Sequence, residues 1–88
     1  MSAPESTLSV LRVLNGSGDT RLSWDRERVA AGDSEAQAAV REAERIFEKA
    51  RASGAQAFRI LPNGDSQRMD RFDPEAREVL VVPAMVGG

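Results

Sequence analysis

The chain of 88 residues contains no cysteine, no histidine and no tyrosine. Disulfide frameworks, Cys/His zinc sites and catalysis by a thiol or an imidazole are therefore excluded. Aromatic side chains are scarce, three Phe and one Trp, and lysine occurs once, at Lys49. Neither sign of charge prevails: 12 basic residues stand against 14 acidic ones, a net charge of -2, which leaves no basic footprint for nucleic acid or anionic lipid. No stretch approaches the roughly 20 apolar residues of a membrane span. Met1 to Thr7 is short and polar, without the apolar run of a secretion signal. A soluble, cytoplasmic, monomeric protein is expected, with no nucleic-acid or membrane partner.

What is present suffices for one small core. Apolar residues make up 41% of the chain, but 13 of them are alanine, leaving 23 large side chains. At about 1.5 to 3 kcal/mol for each large side chain buried, these offset chain entropy with little margin. A single domain over residues 1–83 is expected, with residues 1–7 loosely held and residues 84–88 leaving as an arm.

The clearest periodicity lies in the middle. Ala36, Ala39, Val40, Ala43, Ile46, Phe47 and Ala50 recur at the three-and-four spacing of one helix face. Ser34 with Gln37 forms a capping-box pattern, Asp33 is an equally good cap, and Gly54 closes the helix. Leu8 to Leu14 is an almost continuous aliphatic run, ended by the turn Asn15-Gly16-Ser17-Gly18-Asp19. Thr20, Leu22 and Trp24 then alternate with polar residues, so the two segments read as a hairpin. Asp25 to Gly32 reads as a polar connection in which Val29 plugs the helix entrance. Gln56 to Leu61 alternates Phe58 and Ile60 against Ala57 and Arg59, a weak strand follows around Gln67 to Phe72, and Asp73-Pro74-Glu75-Ala76 reads as a short helical turn. The last strand, Glu78 to Pro83, is apolar on both faces, like the first.

Strands without polar alternation belong in the middle of a sheet and often pair in parallel, which requires a crossover helix. The expected fold is α+β: a mixed sheet of four to five strands, in the order strand-strand-helix-strand-strand-strand, packed on one helix of about twenty residues. This is the topology of the ubiquitin-like β-grasp.

The chain's last residues are Val82-Pro83-Ala84-Met85-Val86-Gly87-Gly88. Here it resembles the ubiquitin-like β-grasp proteins, most closely the small bacterial sulfur carriers of thiamin and molybdopterin synthesis, with a separate bacterial ubiquitin-like modifier as the other member of the resemblance. Pro83 matches the family's first proline, Ala84 replaces the second, Gly87 and Gly88 match outright, and Val86 stands where a small residue is usual. The resemblance implies that an ATP-dependent adenylating partner enzyme activates the carboxylate of Gly88, which is then thiocarboxylated or conjugated to a target. ATP and any metal would belong to that enzyme, so this chain needs no cofactor and is not itself an enzyme. Pro83, Met85 and Val86 would be read as the tail. Two glycines suit such chemistry because, lacking Cβ, they leave the carbonyl carbon unshielded.

Partner docking is expected on the sheet face opposite the helix, at whichever of Leu11, Val13, Leu80 and Val82 point outward, with Arg59, Arg68 and Arg71 as a rim. Trp24 reads as a core filler whose indole N–H needs an acceptor. Lys49 reads as a solvated helix residue, and the pairs Asp70/Asp73 and Glu75/Glu78 as surface ion-pair partners of nearby arginines. The alternative reading is a non-covalent β-grasp interaction module in which the Gly-Gly tail is incidental.

Overall fold

Strands with no polar face must be covered on both flanks, and the two such runs in this chain take the middle of one sheet. The computed structural model describes residues 7–15 and 18–84. Met85, Val86, Gly87 and Gly88 lie outside the described residues. The elements are β1 (Leu8–Asn15), β2 (Gly18–Asp25), α1 (Arg26–Ala30), α2 (Ser34–Ala52), β3 (Gln56–Ile60), β4 (Ser66–Met69) and β5 (Glu78–Val82). The fold is α+β, with a five-stranded mixed sheet ordered β2-β1-β5-β3-β4. The first and last strands pair in parallel at its centre, Val10 opposite Glu78 through Val13 opposite Val81. All other pairs are antiparallel.

The helix α2 crosses one face of this sheet. Asp33 is its N-cap and accepts from the Ala36 N–H at 2.9 Å. Ser34 is thus the first helical residue, and its capping box with Gln37 is not used. At the other end Gly54, at φ +95°, donates to Arg51 O at 2.9 Å while Ala55 donates to Ala50 O at 3.0 Å. That pair of bonds is the Schellman closure, which needs a residue free to take positive φ.

One local expectation is corrected. The segment after β2 is not a mere connection but the short helix α1, because Asp25 serves both elements: its carboxylate ends the strand and accepts from the Glu27 N–H at 2.9 Å. Val29, on α1, packs against the core as expected. The segment Asp73–Ala76 forms the single turn expected there, with Asp73 as its cap: Asp73 Oδ1 accepts from the Glu75 N–H and Asp73 O from the Ala76 N–H.

The core between helix and sheet includes small residues: Ala43 of α2 and Ala57 of β3 are fully buried in one cluster with Val79 and Val81. Larger side chains fill the flank: Phe47 and Trp24 each stack on Phe72 with ring centroids 5.6 Å apart. The Trp24 indole N–H finds its acceptor in Pro74 O at 3.0 Å. Among the described residues no helix is long and apolar enough to cross a membrane.

Phe47 is buried in this interface while Phe58 is half-exposed on the opposite face of the sheet. Phe47→Ala is expected to cost roughly 3–5 kcal/mol in denaturant unfolding, and Phe58→Ala about 1 kcal/mol. The reverse ranking would contradict the assignment of the two faces.

Candidate functional site

Along a strand successive side chains take opposite faces, so one buried residue settles the phase of the rest. Leu11 is 1% exposed, and its lateral neighbours Val79 and Leu22 share the helix side. Ser9, Leu11 and Val13 therefore face α2, as do Val79 and Val81. Leu11 is withdrawn from the docking surface, since it is core, and Val13 goes with it because it packs half-buried against that core. Leu80 and Val82 do face outward, both half-buried.

Phe58 and Ile60 join them. Their face was evident in the alternation of β3, but its orientation was not, because a strand carrying Phe and Ile on one side and Ala and Arg on the other is ordinarily read with the larger pair inward. The register sets the residues of this outer face in rows. Arg21, Arg12, Leu80, Phe58 and Arg68 lie side by side across all five strands. The next row holds Ser23, Val10, Glu78, Ile60 and Ser66. Leu80 and Phe58 are thus flanked by Arg12 and Arg68, while in the next row Glu78 stands between Val10 and Ile60.

The electrostatics of this face are local. Arg12 lies 3.5 Å from both Asp19 and Glu78, pairs that are part-exposed and contribute little in water. Its Nε is buried and has no hydrogen-bond partner among the described residues. Arg21 is exposed and has no ion pair among them. Arg68 sits 4.0 Å from Asp70, which is also 3.5 Å from Arg51.

Arg59 does not belong to the rim of this face. It points to the helix side, beyond the end of the α2 contact, where Asp73 accepts from its guanidinium. Arg71 lies near it, beside Phe72 and Asp73. The carboxylates Asp70, Asp73 and Glu78 are each paired with arginine, and the described residues hold no group of three or more potential metal-ligating side chains.

The root of the expected arm is visible. β5 ends at Val82, and Pro83 and Ala84 are exposed. Pro83 has no N–H to continue the ladder, so pairing stops there. The roles expected of Met85, Val86, Gly87 and Gly88 fall outside the described residues.

Comparison with protein-family models, with curated proteins and with solved structures finds no match to this chain.

One carboxylate departs from ordinary behaviour near the open end of β2. Asp25 is held below the usual carboxylate range, chiefly by the hydrogen bond from the Thr7 hydroxyl at 2.8 Å and then by the α1 amides of Glu27 and Arg28. A depressed folded-state pKa stabilises the fold above the unfolded value, and that contribution is lost as pH falls through the folded value. Thr7→Val is expected to raise the Asp25 pKa towards the ordinary range, followed by carboxyl NMR titration. An unchanged pKa would assign the whole shift to the helix amides.

Proposed function

We propose that the chain is a ubiquitin-like β-grasp protein, a modifier or sulfur carrier that acts as a substrate and not as a catalyst. The observation carrying this reading is the position of β5. The strand leading to the Gly-Gly pair lies at the centre of the sheet, hydrogen-bonded to β1 on one side and β3 on the other, and its ladder ends at an exposed Pro83. A terminus leaving the most heavily paired strand is anchored at its root to a rigid body. A partner enzyme can then use the outer sheet face as a handle while its own active site takes the last residues.

In this reading an adenylating enzyme lets the Gly88 carboxylate attack the α-phosphorus of ATP, releasing pyrophosphate. A sulfur or amine nucleophile then displaces AMP, giving a thiocarboxylate or an amide. ATP and any metal are held by that enzyme. The apolar patch at Leu80 and Phe58 supports partner docking in either case, and also favours the second reading, a non-covalent interaction module.

The two readings part on simple variants. Incubation with an adenylating enzyme of the sulfur-carrier type, ATP and a sulfide donor is expected to give the mass change for exchange of one carboxylate oxygen for sulfur. Deleting Gly87 and Gly88, or adding residues after Gly88, is expected to abolish that change without altering unfolding. Leu80→Asp should reduce it by about tenfold through weaker docking, as expected for a central apolar contact worth 1–2 kcal/mol. A chain whose biological activity survives extension beyond Gly88 but not Leu80→Asp is an interaction module.

A further inference from the structure

A groove opens between the C-terminal half of α2 and the hairpin. Its first part is a cavity of about 370 Å³ lined by Val13, Thr20, Ile46 and Ala50, with Arg45 and Lys49 at one end. Its second part, about 300 Å³, shares Val13, Ala50 and Ser53 with the first and continues past Ala55 and Val81 to Pro83 and Ala84. Ala84 bounds the far end, lying so near the end of α2 that a Cβ on Gly54 would be 3.5 Å from its own.

The groove is polar at one end only. Thr20, Arg45 and Lys49 stand around the first cavity, whereas the second adds only Leu14, Ala55, Val81, Pro83 and Ala84 to the residues the two share. No carboxylate lines either part. Three other hollows on the surface each carry at least one: Asp73 in two of them, and Glu44, Glu48 and Asp70 in the third.

Of the two cations at the polar end, Lys49 is the uncommitted one. Glu42 chelates Arg45 with contacts of 3.1 and 2.5 Å. The neighbours of Lys49 three and four positions along the helix are Arg45, Ile46, Ala52 and Ser53, so the adjacent turns of α2 supply it no carboxylate. It forms no ion pair among the described residues, and Glu42, seven residues away, is about 10 Å from it along the helix axis. One unmet positive charge beside an apolar run matches a single negative head on a hydrocarbon tail. A dianion would leave half its charge unmet, and a cation would be repelled by Lys49.

We infer that this groove binds an unbranched monocarboxylic acid of medium chain length as a free small molecule. Its carboxylate accepts from the Lys49 ammonium and the Thr20 hydroxyl, and its chain runs over Ile46, Ala50 and Val13 towards Val81 and Pro83. From Lys49 to Ser53, which lines both cavities, is about 6 Å along α2, and the second cavity continues beyond, so an extended chain of roughly eight carbons fits. The inference stands on the groove alone and holds whether or not Gly88 is activated.

The test is an NMR titration of the full chain with octanoate, hexanoate and octylammonium. Octanoate is expected to shift the amides of Val13, Thr20, Ile46, Lys49 and Ala50. It should bind about fourfold more tightly than hexanoate, twofold for each methylene half-covered by the groove, and about fivefold more tightly than octylammonium. Lys49→Glu, at an exposed position, should abolish or reverse the preference for octanoate over octylammonium. Ala50→Leu places a larger side chain where the two cavities meet and should abolish binding; were that variant to unfold, Lys49→Glu decides alone. Equal affinity for octanoate and octylammonium, an unchanged preference in Lys49→Glu, shifts centred on Leu80 and Phe58, or contacts from Met85 or Val86 to Ala50 before octanoate is added would each overturn the inference. Shifts of the same amides by phosphatidylglycerol vesicles, with none by octanoate, would overturn it too and assign the groove to a membrane surface.

Discussion

The structure depends on the parallel pairing of its first and last strands. Among the described residues β1 and β5 are the strands without polar alternation, and placing them together at the centre gives each a hydrogen-bonded neighbour on both edges. The remaining geometry follows from that pairing. β2 must turn outward from β1 as a hairpin, α2 must carry the chain across the sheet, and β3 and β4 must close the other side of β5. Because the central contact joins the two ends of the described chain, it cannot form until the loop between them has closed, and that cost is offset only by the burial it brings.

That burial comes with an inversion in the sheet. Ala43 of α2 and Ala57, Val79 and Val81 of the sheet are fully buried in one cluster. Alanine occupies the inner position of β3 there, and Phe58 is turned outward. Past the end of the helix contact the inner position of β3 is taken by Arg59, whose charge is met by Asp73. The apolar patch on the outer face is thus the other side of an alternation whose inner positions hold Ala57 and Arg59.

How much of this is legible in the amino-acid order varies with the kind of signal. The stripe from Ala36 to Ala50 defined α2, and the doubly apolar runs defined the central strands and their parallel pairing. The faces of those same strands were not legible, since a run without alternation carries no phase; Leu11 could be placed inward only once Val79 and Leu22 were its neighbours. The face of β3 was ambiguous for the opposite reason, because its alternation is clear but side-chain size suggests the wrong side. The helix α1 escaped notice because Arg26 to Ala30 has one large apolar side chain and no periodicity, and its start is set by an aspartate that also ends a strand. Of the candidate site, Leu80 and Val82 were named only alongside Leu11 and Val13, and the register was needed to choose between the two pairs and to add Val10, Phe58 and Ile60.

The balance of charge also has a different meaning at the two scales. A net charge of -2 excludes a global cationic field, yet it does not describe either surface. Surface charges are screened within about 8 Å at physiological salt, so a partner responds to the residues it touches and not to the sum. The outer face and the side carrying α2 lie on opposite sides of the one sheet. Arg21, Arg12 and Arg68 act on one side and Lys49 on the other, with little mutual influence. Both surfaces converge on β5, Leu80 and Val82 outward and Val81 inward, just before Pro83. A partner on either side therefore holds the same strand end in place, and the geometry permits both to be occupied at once.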